Sequence, residues 1–529
     1  VLASSKEINA ARKRAKALIT AGRHNAVALS LGTPKRNKSG AVILPSVTWV
    51  PEAQRGIAVC GGPGSGKTYS TINPMIQSAI SFGYPCIIYD FKYPSQAEVV
   101  AGYAAKNGYD IKIFAPGYPE SEVCNPLDFL ENEQDALSAR QIATVMNRNF
   151  ALNANSSEDK FFSDAGDQLV MAMLMLAKTL PWPDLLTASA ILSLPDLPKQ
   201  IEKIQPKLNH WVYLQFSQLL QLQSSEKTVA GVIGTASKVF SRFLSPELVG
   251  AFCGKTTLPI EMEGKKLLVI GMDRRKREAI GPLVATVLHM IVTRNVTMRR
   301  KTPLFLSIDE LPTLFLPYLV QWLNENRSDG LCTLAGFQNM AQLEKTYGRE
   351  ISRSILGGCA TKIIFNPGDH DSAHYFSQYL GEEELVLKHK NKSRGGGKSS
   401  TSTSENRHKR HIMEAAQFNK LPTGHCVLVN PGYGNPKEQT SIPLKLRVKV
   451  PKRDIQAQVR SENVWPKLRT LLIKRSGQVQ ITDPKSQLNE RIEYARSFFG
   501  ESDSEAPQPT QTASARLSDA QIAQLREAF

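Results

Sequence analysis

An α/β fold whose sheet is split by an inserted all-helical domain is predicted by three features of the sequence. The first is a β-α-β opening: an apolar run at 56–60, a Gly-rich turn, a helical stretch, and a buried strand at 86–89. The second is a gap over about 132–251 in which strand patterns vanish and apolar residues recur at helical spacing, as in 169–180 and 211–222. The third is the return of strand patterns at 267–270, 304–308, 332–337 and 361–365, alternating with helical segments.

The bulk properties bound the rest. A chain of 529 residues exceeds one ordinary core, so two to four domains are expected. With 41% hydrophobic and 21% charged residues, a largely disordered or fibrous chain is excluded. The formal charge of +17 favours partners rich in phosphate, either nucleic acid or an anionic membrane surface. Seven cysteines are scattered with no C-x-x-C spacing, which points to reduced, buried thiols and to no zinc site. The longest apolar stretches, at 169–176 and 283–292, fall short of the ~20 residues of a membrane helix. The chain begins at Val1 and not Met, and the expectation is that a true N-terminus with an anchor or signal has been removed.

Along the chain, residues 1–25 carry Lys6, Arg12, Lys13, Arg14, Lys16 and Arg23 against the single acid Glu7, at roughly helical spacing. Two readings fit this basic lead-in: a solvated helix face, or a juxtamembrane segment held at an anionic leaflet. Residues 388–411 break all periodicity with eight Lys/Arg against one acid, Glu405, around a Gly395-Gly396-Gly397 run. They are expected to form a mobile basic loop, and two readings fit it: a segment that touches DNA phosphates, or a solvated linker with an accidental charge run. Residues 501–513 read as a Pro/Ser/Gln-rich tail, and Ser518 with Gln521 as the capping box of a short terminal helix.

The chemistry sits in two motifs. Gly61-Gly62-Pro63-Gly64-Ser65-Gly66-Lys67-Thr68 matches G-x-x-x-x-G-K-[ST] after a strand and before a helix. Its glycines let successive amides and the helix N-terminus face phosphate oxygens, Lys67 reaches the β- and γ-phosphates, and Thr68 offers its hydroxyl to Mg2+. Tyr69 is grouped with these nucleotide-contacting residues. The second motif is the apolar run 304–308 ending in Asp309-Glu310. Asp309 is the metal-side carboxylate, and Glu310 is placed to accept a proton from the attacking water. ATP and Mg2+ are therefore the expected cofactors. Gln338, at the tip of the strand 332–337, is a candidate γ-phosphate sensor or water-orienting group.

The whole pattern resembles the TraD/TraG/TrwB family of type IV coupling proteins, hexameric DNA-pumping ATPases related to FtsK and HerA. The resemblance covers about residues 45–450. Besides the two motifs it rests on Asp90-Phe91-Lys92, Asn125-Pro126-Leu127-Asp128, Asp309-Glu310-Leu311-Pro312-Thr313, Gly336-Phe337-Gln338-Asn339, Tyr347-Gly348, the block 372–381, and Leu421-Pro422-Thr423-Gly424. It implies a RecA-like P-loop motor domain in two parts, 31–131 and 252–450, around an all-α domain at 132–251. The juxtamembrane-like lead-in (1–30) and a C-terminal extension and tail (451–529) flank them. It also implies a homo-hexameric ring in which Arg327 completes a neighbour's site as an arginine finger and Arg349 acts as a second phosphate sensor. In one departure the family's Asp-Pro-Lys-Gly-Glu turn is replaced by Asp90-Phe91-Lys92-Tyr93-Pro94, so no role is carried over to it. The family's N-terminal transmembrane hairpin is also missing, which suggests truncation.

Three functions remain open at this stage. The first is an ATP-driven coupling protein at the bacterial inner membrane that recruits a relaxase–DNA substrate and moves the DNA to a type IV secretion channel in conjugation. The second is an adaptor that hands relaxase or effector proteins on and uses ATP only to assemble. The third is a cytosolic FtsK/HerA-like DNA translocase.

Overall fold

The computed structural model describes residues 2–152, 160–395, 398–435, 440–477 and 483–500. The tail and terminal helix expected after residue 500 lie outside the described residues. The chain divides into two compact units, Val1–Ser78 with Cys332–Pro451, and Ala79–Leu331 with Lys452–Phe529.

Nine strands build the sheet blocks of the two units: β1 (Ile57–Cys60), β2 (Cys86–Asp90), β3 (Asp110–Phe114), β4 (Lys266–Gly271), β5 (Leu304–Ile308), β6 (Leu331–Phe337), β7 (Thr361–Ile364), β8 (His425–Val429) and β9 (Leu444–Arg447). In the first unit β1 lies between β6 and β7, parallel to both, with Val59 level with Gly336 and with Ile363. Strands β8 and β9 continue the order beyond β7, each antiparallel to its neighbour. In the second unit the order is β5-β2-β4-β3 and every pair is parallel. Strands β1, β2, β5, β6 and β7 are buried along their whole length. That burial accounts for their reading as unbroken apolar runs rather than as alternating ones.

The first unit also holds the lead-in, folded as a helix over Ser5–Ala21. Ser4 and Glu7 form a reciprocal capping box at its start, and Gly22 ends it in the left-handed region at φ 58°. Ala11, Ala15 and Leu18 are its buried stripe, while Lys6, Lys13 and Lys16 are exposed.

The segment expected as a loop over 388–411 is instead two long strands. Glu382–Gly395 and Lys398–His411 pair antiparallel in unbroken register, from Glu382 opposite His411 to Gly395 opposite Lys398. Thr401, Thr403 and the apolar start Leu385-Val386-Leu387 are residue types that favour strands, so cross-strand pairing overrides the loop-like composition.

In the second unit the described residues from Ala136 to Phe252 form helices and the turns between them and contain no strand, beginning with Ala136–Ala151 and ending with Pro246–Phe252. The RecA-like α/β fold with an all-α insertion is therefore observed. The apolar stretch 211–222 is two short helices, His210–Leu214 and Ser217–Gln221. Among the described residues one helix, spanning Arg274–Val296, is long and apolar enough to cross a membrane by length and composition, with 83% of its apolar window buried inside the protein. It packs on the helix Ala136–Ala151.

Two further helices close the second unit. Lys452–Ser476 lies along Ser95–Lys106, where Ser461 Oγ donates to the Glu98 carbonyl (2.7 Å) and accepts from the Gly102 amide (2.8 Å). Pro484–Phe498 lies on Leu185–Leu192, tied by the buried Arg491 guanidinium, which donates through Nε to Asp184 Oδ1 (3.0 Å). Asp184 also accepts from the Thr187 amide (3.0 Å) and so caps that helix.

Candidate nucleotide-binding site

The loop 61–68 leaves β1 and is hemmed in by three other segments of its unit. The Gly61 amide donates to the Phe337 carbonyl (3.2 Å) and the Gly62 amide to the Asn366 carbonyl (2.8 Å). From the other side the Gly424 amide donates to the Ser65 carbonyl (2.9 Å) and Thr423 Oγ1 to the Gly64 carbonyl (3.1 Å). Glycine is required here for two separate reasons. Gly64 and Gly66 lie at φ 75° and 90°, where an L side chain is strained. A Cβ on Gly61 would come within 2.6 Å of Ser65 Oγ and 2.8 Å of Phe365 Cβ. The helix that follows begins with a widened turn, in which the Asn73 amide reaches the Thr68 carbonyl, a π-type turn of the kind found at functional sites.

Lys67 is 7% exposed, and Ser65 Oγ is buried with no hydrogen-bond partner among the described residues. A curled glycine loop, a helix N-terminus, a lysine and an unused buried hydroxyl together fit a nucleotide polyphosphate. Gln338 follows β6 half-buried, its carbonyl accepting from Cys60 Sγ (3.4 Å) and its Oε1 from Gln342 Nε2 (3.4 Å). Tyr69 is 48% exposed. Arg349 is exposed at the first position of the helix Arg349–Gly358.

The second unit carries the acids. β5 ends at Ile308, level with Tyr89 on β2, so Asp309 and Asp90 leave adjacent strand ends. Asp309 is half-buried and Glu310 is 8% exposed. Thr313 pins the turn after them: its amide and its Oγ1 both donate to the Glu310 carbonyl (3.1 and 2.6 Å), and its hydroxyl pairs with Tyr89 OH (2.9 Å). Asp90 Oδ2 accepts from the amides of Gln96 (2.8 Å) and Ala97 (3.0 Å), which anchors the helix Ser95–Lys106. Burial, reinforced by the neighbouring Asp309 charge, pushes the Asp90 carboxyl up to about 6. Asp309, half-buried at the neighbouring strand end, offers a hard oxygen donor of the kind that a divalent cation such as Mg2+ takes. Arg327 is exposed in the turn after the helix Leu319–Asn324.

A family profile described as the DNA-binding domain of type IV secretion-system coupling proteins matches residues 41–441. The chain belongs to this coupling-protein family.

Coupling protein TraD of Escherichia coli (strain K12) is 27% identical over 188 residues, covering 35% of this chain and 26% of TraD. The chain thus spans about a quarter of that curated relative. Among solved structures, the conjugative coupling protein TrwBdeltaN70 in its unbound monoclinic form covers 80% of this chain and 93% of its own, at 17% identity and a TM-score of 0.58. TrwB in complex with ADP and Mg2+ covers 80% of this chain and 94% of its own, at 16% identity and a TM-score of 0.58. At these identities the likeness establishes the shared fold.

Within this coupling protein, reasoning from sequence left four residues without a role. Asp90 was visible as a strand-end acid, yet its place beside Asp309 depends on the order β5-β2. Thr423 and Gly424 belong to a recognised block, but their contact with the loop is made across 359 residues of sequence. Tyr93, in the turn that departs from the family pattern, packs its ring where a Cβ on Gly271 would come within 2.6 Å, and donates its hydroxyl to Glu120 Oε1 (2.8 Å). The altered turn is thus built into the core of its unit.

Proposed function

We propose that the chain is an ATP-driven coupling protein that recruits a relaxase–DNA substrate and moves DNA to a type IV secretion channel during conjugation. The observation that carries this reading is the phosphate-binding loop 61–68 together with the strand-end acids Asp309 and Glu310, in a chain of the coupling-protein family. TrwB has been solved with ADP and Mg2+, which supports the same ligands here.

In this account Lys67 and the loop amides hold the β- and γ-phosphates, and Tyr69 borders the bound nucleotide. Thr68 and Asp309 hold Mg2+, which when bound would screen phosphate charge. Glu310 accepts the proton of the attacking water, and Gln338 orients that water. Arg327 from a neighbouring subunit stabilises charge on the transferring phosphoryl group, which makes hydrolysis depend on a homo-hexameric ring. Arg349 acts as a second sensor. The lead-in helix lies at the cytoplasmic face of the bacterial inner membrane, near an N-terminal anchor. The domain division of the sequence reading, a two-part motor around the helical insertion with a C-terminal extension, is part of the same proposal.

The test is hydrolysis by Glu310→Gln beside the unaltered chain. The variant is expected to bind ATP with Mg2+ as the unaltered chain does and to turn over at least 100-fold more slowly. Unimpaired turnover in the variant refutes the assignment of the base.

A further inference from the structure

At the end of β1 opposite the phosphate loop, the first unit holds a cavity of about 740 Å3. Arg55, two residues before β1, and Lys362, the second residue of β7, both line it, and the Ala360 amide donates to the Arg55 carbonyl (2.8 Å) to join the two segments. The fully buried Asn430 ties the same strand ends together, donating to the Pro51 carbonyl and to Thr361 Oγ1 (both 2.8 Å). The charged residues that line the cavity are Arg14, Arg55 and Lys362 against Glu52, a formal balance of +2. Glu52 holds both guanidiniums: its Oε1 accepts from Arg14 Nε (2.8 Å) and its Oε2 from Arg55 (3.1 Å). Lys362 differs from these two. It is 5% exposed on a strand buried along its length, and no carboxylate pairs with its ammonium among the described residues. Its Nζ donates to the Cys359 carbonyl (2.6 Å) and stands over the Tyr379 ring (4.7 Å from the centroid), which accounts for two of its three N–H donors. A buried ammonium carries a desolvation cost that a bound anion offsets.

We propose that this cavity binds a small organic phosphomonoester. The positive balance of its lining complements a phosphate group, which carries about −1.5 to −2 at pH 7. Guanidinium forks and an ammonium are the donors that phosphate oxygens take. The cavity is larger than a phosphate group alone and has the size of a small-molecule site. Tyr379, which lines it and is 42% exposed, adds an aromatic surface for the organic part of the ligand. Since the loop 61–68 leaves the other end of β1, this site is separate from the nucleotide site and does not depend on the coupling function.

Phenyl phosphate, titrated by calorimetry, is the probe. The unaltered chain and Lys67→Ala are expected to bind it alike, while Lys362→Met and Arg55→Gln each bind it at least about tenfold more weakly. The Arg55 side chain is 42% exposed, so its substitution leaves the fold intact and keeps the test valid should Lys362→Met unfold. Phenyl sulfate, a monoanion, is expected to bind at least about tenfold more weakly than phenyl phosphate at pH 7. Vesicles of phosphatidylcholine with phosphatidate identify the source: retention that Arg55→Gln abolishes assigns the phosphomonoester to a lipid, and phenyl phosphate binding without retention assigns it to a soluble compound. The proposal is overturned if phenyl phosphate does not bind the unaltered chain, or if its binding survives in Lys362→Met and Arg55→Gln. It is equally overturned if the binding is lost in Lys67→Ala, which places the anion at the loop 61–68, or if phenyl sulfate binds as tightly.

Discussion

Arg469 grips Glu120 with both arms of the fork: Nε donates to Oε1 (2.9 Å) and a terminal nitrogen to Oε2 (3.2 Å). Glu120 is fully buried, and its Oε1 also accepts from Tyr93 OH. One carboxylate therefore joins the helix Lys452–Ser476 to the turn that follows Asp90. Arg469→Met leaves that carboxylate buried and only partly satisfied, at an expected cost of about 2 kcal/mol, below the range for fully buried pairs because the Arg469 side chain is 38% exposed. Urea unfolding should show the loss, and adding Glu120→Gln should recover part of it. A second variant more unstable than the first would contradict this account of the pair.

Lys67→Ala is expected to abolish ATP turnover while shifting the unfolding midpoint little. The lysine is held at the phosphate loop and not in the apolar core. Turnover within tenfold of normal would remove it from the site.

Arg327 is exposed, so its substitution should leave the fold intact and act on hydrolysis alone. In rings mixing Arg327→Ala with Lys67→Ala chains, some interfaces combine an intact loop with an intact arginine, and turnover should partly return. Mixed rings that form and stay inactive would count against a contribution from the neighbouring subunit.

His289 gives a pH dependence whose sign follows from its surroundings. It lies between Tyr318 and Trp322 (ring centroids 4.9 and 5.4 Å away), and neither ring nitrogen has a hydrogen-bond partner among the described residues. Burial pushes its imidazole down from 6.5 to about 3. The unfolded chain binds this proton more readily, so the stability contribution is present above pH 6.5 and is lost as pH falls toward 3. Between pH 7 and pH 5 the loss should be about 2 kcal/mol. His289→Leu should flatten that stretch of the stability–pH curve, and an unchanged slope would refute the assignment.

How much of this was legible in the sequence depended on whether a feature is local. β5 was read at its observed bounds because a strand buried on both faces is an unbroken apolar run closed by acids. β3 was missed because Asp110 and Lys112 interrupt its pattern: it is last in its block and alternates exposed with buried residues. β9 was missed for the same reason. The part of the ribbon at 388–411 reads as a loop because Ser, Thr, Gly and Lys dominate it and its pairing is invisible to composition. The phosphate loop was legible because phosphate chemistry fixes its spacing over eight residues, whereas the closures by Asn366 and Gly424 arise only from folding.

The central claim is that ATP hydrolysis in this chain is coupled to DNA. ATP turnover of the unaltered chain, measured at fixed salt with and without duplex and single-stranded DNA, tests it most directly. The account predicts turnover that rises severalfold with DNA and vanishes in Glu310→Gln although ATP still binds. Turnover that is robust but indifferent to DNA of either form would contradict it.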